Sequence, residues 1–336
     1  AMSSTASGLE TLPEDKSMSG MKIELVGRDD LWTYKSCDNY NESPLTKSYV
    51  DAGKLPPVNE RMPKEPWMAK TDQMVDGIGE YGGTFRHVIG GRPEGFNWLA
   101  GQSQGWGGIN IQLMESLTRL GPLWQIKPDE ANPLPNLAKD WEWSSDRKSL
   151  TMNLIEGARW SDGDIFDTED IDFWWNDNVQ DANVASRLPK DALGAGTTLE
   201  ILGPYSFKFN FDEPKGNAVL AQLAYMGGAP GPSHVMKPLH PAHNSDATYE
   251  SYANGMPASV LPIVTLGAYV PVVHKVDELM VMKRNPYYWK VDEECNQLPY
   301  YNETIYKLTS WDDRTTQALA GTCLLYTSDA ADDSLR

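Results

Sequence analysis

Residues 150–170 read LTMNLIEGARWSDGDIFDTED, and this stretch decides the class of fold. Residues 150–155 alternate apolar and polar side chains, as a strand with one buried face does. Ala158, Arg159 and Trp160 lead into Ser161-Asp162-Gly163-Asp164, a turn by composition. Asp167 or Thr168 then stands where a helix needs an N-cap, and Glu169 and Asp170 follow, carboxylates suited to the positive end of a helix. The helix so begun carries Ile171, Phe173, Trp174 and Trp175. Strand, turn and helix in such close succession predict a mixed class, α/β or α+β.

The surroundings repeat the pattern. A strand is expected over 82–89, after a glycine turn. Apolar residues at 109, 111, 113, 114, 117 and 120 predict one face of a helix over 109–120. Residues 199–202 and 205–211 predict a hairpin about Gly203-Pro204, with Tyr205, Phe207, Phe209 and Phe211 on one face. A short apolar helix is expected over 216–226, and a strand over 277–283 closed by Asn285-Pro286. Residues 1–76 are polar and irregular, and residues 53–66 (GKLPPVNERMPKEP) read as proline-stiffened extended chain. No internal repeat is present.

Composition narrows the functions. The chain has 336 residues, 40% of them apolar, which is ordinary globular usage. Lys plus Arg number 29 against 47 Asp plus Glu, a net charge of −18, which repels phosphate backbones and anionic membrane surfaces. Nucleic acid is therefore excluded as a partner. Three cysteines neither build a disulfide scaffold nor show zinc spacing, although Cys37 and Cys295 could pair in an oxidising compartment. The uncharged stretches 216–236 and 252–273 are interrupted by prolines and cannot hold an unbroken membrane-spanning helix.

Several motifs invite chemistry and are better read as structure. Gly101-Gln102-Ser103-Gln104-Gly105 matches the G-x-S-x-G nucleophile pattern, but Trp106-Gly107-Gly108 cannot start the helix that a nucleophile elbow needs. Gly77-Ile78-Gly79-Glu80-Tyr81-Gly82 matches G-x-G-x-x-G yet precedes a strand, so no helix N-terminus is there to hold a pyrophosphate. His234, His240 and His243 are separated by Pro238 and Pro241, which leaves no helical pair of metal ligands. Turn and capping roles account for Asp162, Asp164, Asp167, Glu169 and Asp170. No catalytic group, metal or cofactor is expected. Trp98 and Trp106 are different: they lie in a glycine-rich loop, where aromatic faces can stack on sugar rings or cover peptide side chains. The expected ligand contacts are Phe96, Asn97, Trp98, Trp106 and Tyr269, with the Asn97 amide as a hydrogen-bond fork.

Taken in order, the motifs resemble the extracellular solute-binding proteins of family 5, the oligopeptide-binding class of ABC importers. Residues 50–66 (VDAGKLPPVNERMPKEP) are similar to the opening segment of one subgroup, followed by Glu80-Tyr81-Gly82-Gly83-Thr84. Pro135-Asn136-Leu137-Ala138 with Trp141 resembles P-x-L-A-x-x-W, and residues 154–163 (LIEGARWSDG) resemble L-R-x-G-V-K-W-S-D-G. Leu266-Gly267-Ala268-Tyr269 stands for G-x-G-P-Y, Arg284-Asn285-Pro286-Tyr287-Tyr288-Trp289 for R-N-P-x-Y-W, and Gln297-Leu298-Pro299-Tyr300 follows. The chain departs from the pattern by lacking Thr-Ala before Glu169, by lacking the proline before Tyr269, and by placing Cys295 where a glycine is often found.

The resemblance implies an α/β, type II periplasmic-binding-protein-like fold: two lobes, an extra domain beside the first, and the second lobe largely absent from this chain. Residues 1–80 would be an extended N-terminal segment, 81–113 and 195–310 lobe I, 114–194 the extra domain, and 311–322 the start of the missing lobe. Residues 323–336 (CLLYTSDAADDSLR) resemble a translated sequencing adapter; they hold three Asp and one Arg, so the net charge would stand at −16 without them. The implied function is the substrate-binding component of an importer, periplasmic or extracellular and lipid-anchored in some full-length forms. Such a component closes its lobes on a peptide or oligosaccharide and docks on permease subunits. Half of such a clamp is expected to bind ligand poorly by itself. The rival reading, from the same aromatic richness and acidity, is a secreted carbohydrate-active enzyme using Asp162 and Glu169.

Overall fold

The alternating stretch at 150–155 forms strand Ser149–Leu154 in a computed structural model that describes residues 25–70, 77–89, 92–105, 108–120, 127 and 132–321. Leu150, Met152 and Leu154 face inward. The strand pairs antiparallel with Ala138–Trp143 on one edge and Ser206–Asn210 on the other, and Thr198–Gly203 completes the sheet. Leu150 stands opposite Phe209 and Met152 opposite Phe207, so the cross-strand pairs themselves build the core. Asp167 caps helix Thr168–Asp172: its side chain accepts from the Glu169 N–H, and Asp170 completes a capping box. The helix widens into a π-helical stretch, Phe173–Val179, which lays Trp174 and Trp175 on the sheet; Trp175 meets Phe209 edge-on at 4.9 Å. The hairpin therefore belongs by its ladder to the strands of residues 138–154, across the expected segment boundary at 194/195.

A second sheet runs in the order Tyr269–Lys275, Leu279–Arg284, Tyr301–Leu308, Gly82–Ile89, and its last pair is parallel. A third joins Trp32–Tyr34, Trp67–Ala69 and Lys290–Asp292, drawing the N-terminal segment onto the chain some 220 residues later. Cys37 and Cys295 form a disulfide across that junction. Cys295 has φ +61, the left-handed region that favours glycine, which accounts for glycine at this position in the family pattern. Arg61, wholly buried, reaches Glu42, the Pro286 carbonyl and Gln297.

Two expected helices are shorter than their periodicity. The expected helix over 109–120 ends at Ile109–Leu113, and Met114 is already extended. Beyond it the Leu117 N–H donates to the Gly228 carbonyl, the Leu117 carbonyl accepts from Ala138, and Thr118–Arg119 pairs with Leu134–Pro135. Tertiary hydrogen bonds thus override a 3.6-residue pattern. The helix expected over 216–226 is Ala218–Gln222. Among the described residues, no helix is long and apolar enough to cross a membrane.

Candidate functional site

Four of the five expected contact residues are buried within this chain. Phe96 and Asn97 are fully buried, and Trp98 and Tyr269 nearly so; Trp106 lies outside the described residues. The Asn97 fork binds its own protein: Oδ1 accepts from the Ala100 N–H at 3.2 Å, and Nδ2 donates to the Tyr252 carbonyl at 2.7 Å. Trp98 Nε1 donates to the Pro230 carbonyl, and the Tyr269 hydroxyl to the Tyr301 carbonyl. Burial pushes the Tyr269 hydroxyl well above the usual phenol range. Asn97 and Trp98 stitch the loop of residues 95–105 to the rest of the fold, and Tyr269 bonds to the strand Tyr301–Leu308.

An open cleft of about 410 Å³ lies nearby, between helix Ile109–Leu113, strand Thr118–Arg119, the loop at Tyr225–Ala229 and the segment Tyr288–Lys290. Its floor is a polar network. The Glu115 carboxylate receives the Tyr288 hydroxyl at 2.8 Å, Asn136 Nδ2 at 2.8 Å and the Lys290 ammonium at 3.0 Å. The ammonium also faces the rings of Trp289, Trp67 and Tyr288 at 4.7, 5.2 and 5.8 Å. Burial pushes Lys290 down to about 8, with Glu115 opposing the shift and Arg119 adding to it. Burial acts on Glu115 in the opposite sense, yet Lys290, Asn136 and Arg119 together hold its carboxyl below the usual range. Asn136 Nδ2 bonds also to the Ser116 carbonyl, while its Oδ1 is buried with no hydrogen-bond partner in the protein.

At the lip, Tyr225 is 59% exposed with φ +64 and ψ −160, a conformation close to exclusive to glycine that costs a tyrosine about 1–3 kcal/mol. Its backbone is pinned on both sides: the N–H donates to Ser116 Oγ, and the carbonyl accepts from Gly228. Its hydroxyl accepts from Asn110 Nδ2 at 3.1 Å. Among the described non-glycine residues with positive φ, Arg147 and Asp277 occupy hairpin turns and Cys295 the disulfide turn; Tyr225 alone lines the cleft.

Glu115, Tyr225 and Lys290 stand in no motif of the sequence, whereas Asn136 lies in P-N-L-A and Tyr288 in R-N-P-Y-Y-W. The usable signal was adjacency: Lys290 follows the R-N-P-Y-Y-W stretch directly, and Gly227-Gly228 marks a break in the helix expected through Tyr225.

The acids and histidines have structural partners. Asp162 Oδ1 accepts from the Asp164 N–H, and the two rim nitrogens of His234 face Asp162 at 2.8 Å and Asp164 at 3.1 Å. The hydrogen bond to Asp162 raises the His234 imidazole above its ordinary value. His243 pairs with Asp177, and His240 packs edge-on against Tyr252. Ser103 Oγ accepts from the Gly105 N–H within its own loop. Among the described residues, no three His, Cys, Asp or Glu side chains gather as a metal site.

The family model described as "Bacterial extracellular solute-binding proteins, family 5 Middle" matches residues 132–335. The chain is 50% identical over 303 residues to a periplasmic alpha-galactoside-binding protein of Rhizobium meliloti, covering 89% of this chain and 44% of that one. It superposes with TM-score 0.87 and 48% identity on the periplasmic binding protein MelB of Agrobacterium fabrum C58, solved in complex with stachyose, over 90% of this chain and 46% of that one. An oligopeptide-binding protein OppA matches with TM-score 0.68 and 28% identity, over 86% and 44% of the two chains. The fold is the α/β fold of type II periplasmic binding proteins, and the chain spans less than half the length of these relatives.

Proposed function

This chain belongs to the bacterial extracellular solute-binding proteins of family 5, and from that premise we propose that it is part of an ABC importer's substrate-binding component for oligosaccharides, α-galactosides first. The observation that carries the reading is the 50% identity to an alpha-galactoside-binding protein, extending over 89% of this chain. The cleft supports it: a polar floor beneath an exposed aromatic ring is the composition of a sugar site. In this reading the cleft is one wall of the ligand site, and a second lobe closes over it before docking on permease subunits. The sheet carrying Gly82–Ile89 belongs to lobe I and the sheet carrying Ser149–Leu154 to the extra domain. Phe96, Asn97, Trp98 and Tyr269 enter as the support behind the contact face. The protein works outside the cytoplasmic membrane, where the Cys37–Cys295 disulfide persists.

No catalysis is assigned. Asp162 is engaged by His234 and by the Asp164 N–H, and Glu169 sits in the first turn of a capped helix. The likeness to OppA favours a second reading, in which the ligand is a peptide. Saturation-transfer NMR on this chain, with millimolar stachyose and separately a tetrapeptide, decides between them, because the method registers the weak binding expected of half a clamp. Transfer to stachyose, with the sugar recovered intact after prolonged incubation, is expected. Transfer to the peptide alone would overturn the sugar reading, and released galactose would overturn the binding-protein reading in favour of the enzyme.

A further inference from the structure

We infer that Tyr225 is the stacking platform of this cleft: its ring receives the carbon–hydrogen face of a galactosyl unit. The inference rests on the oligosaccharide reading above and adds the residue that holds the sugar. Two observations meet here. A large aromatic side chain stands 59% exposed at the lip of a cleft of about 410 Å³. The backbone beneath it is held at φ +64 and ψ −160 by bonds to Ser116 and Gly228, where glycine would sit without strain.

Burial gives little reason for a tyrosine at this position. The ring is mostly in water, so burial returns little, and a glycine would relieve the backbone. What the tyrosine adds is a flat apolar face, oriented by the hydrogen bond from Asn110. A pyranose presents carbon-bound hydrogens on one face and hydroxyls around its rim, so its apolar face matches an aromatic platform.

The test sets binding against stability in two variants. Tyr225→Gly is expected to raise the melting temperature by roughly 2–5 °C through relief of strain. The same variant should weaken stachyose binding by about tenfold or more in a saturation-transfer titration, because the stacking face is gone. Tyr225→Phe keeps the ring and gives up the bond from Asn110, so a loss of only about 2–4-fold is expected, with transfer still strongest on the carbon-bound protons of one galactosyl face. Stachyose bound equally by the unaltered chain and by the Tyr225→Gly variant overturns the platform while leaving the oligosaccharide reading intact. Should that variant fail to fold, a Tyr225→Phe variant that loses as much as tenfold, or transfer spread evenly over the sugar, overturns it instead. Absence of any transfer to the unaltered chain removes the platform and the oligosaccharide reading together.

Discussion

The four-stranded antiparallel sheet and the N-terminal segment of residues 25–70 are held by different physics. In the sheet, adhesion is spread over a continuous aromatic core: Phe207, Phe209, Trp174 and Trp175 are buried, and their rings meet at 4.9–5.8 Å. The N-terminal segment buries few large side chains and is secured at points: the Cys37–Cys295 disulfide, the enclosed Arg61–Glu42 pair, and a short parallel ladder of Trp67–Ala69 with Lys290–Asp292. A distributed core loses stability in proportion to the volume removed. A pinned segment loses its place when one pin goes, because little else resists its release.

The largest effect is expected in the sheet. Phe209→Ala should lower the stability of the whole chain by about 3–5 kcal/mol, seen as one cooperative shift in a denaturant titration. A loss confined to the N-terminal segment would break the contrast. Next comes Cys37→Ser, which opens a loop with a sequence separation of 258 residues. A loss of about 2–5 kcal/mol is expected, with limited proteolysis cutting residues 25–70 first while the sheet survives. Simultaneous cleavage of both regions would show that the segment is part of the common core.

The smallest effect sharpens the picture at the turn of residues 161–164, which meets helix Ser233–Met236 through His234. His234 titrates above its ordinary value because of Asp162, so its stabilising contribution is complete below about pH 6.5 and fades as pH rises through the raised value. Asp162 feels burial pushing its carboxyl up, but the hydrogen bonds from His234 and Asp164 bring it lower overall, so its contribution fades only under acid conditions. A pair this exposed contributes about 0.2–1 kcal/mol. The melting temperature should therefore decline gently between neutral and alkaline pH, and His234→Gln should remove the decline. An unchanged profile in that variant would assign the pH dependence elsewhere.

Much of the fold was legible because its signals are local. Alternation at 150–155 and at 205–211, the Asp167 cap and the Gly163 turn each act within a few residues, and each forms where the pattern places it. Leu117 was misread because its apolar periodicity is real, yet its backbone bonds to Gly228 and Ala138, partners that no local pattern contains. The site was less legible for the same reason. Trp98 looked available in a glycine-rich loop, but the chain near Pro230 and Tyr252 folds over that loop and buries it. Tyr225 looked like one more apolar helical residue, and only the pinned backbone turns it outward.

From its sequence alone, this protein is an acidic α/β chain with the ordered motifs of a solute-binding family and no local constellation for catalysis or metal. The tertiary structure decided which aromatic faces meet solvent and which are buried, that Cys37 and Cys295 pair, and that Glu115, Asn136, Tyr288 and Lys290 share one cleft floor. The reason is distance along the chain. Periodicity and capping are interactions between near neighbours, whereas Glu115 and Lys290 stand 175 residues apart, and only the packing of distant segments brings their charges together.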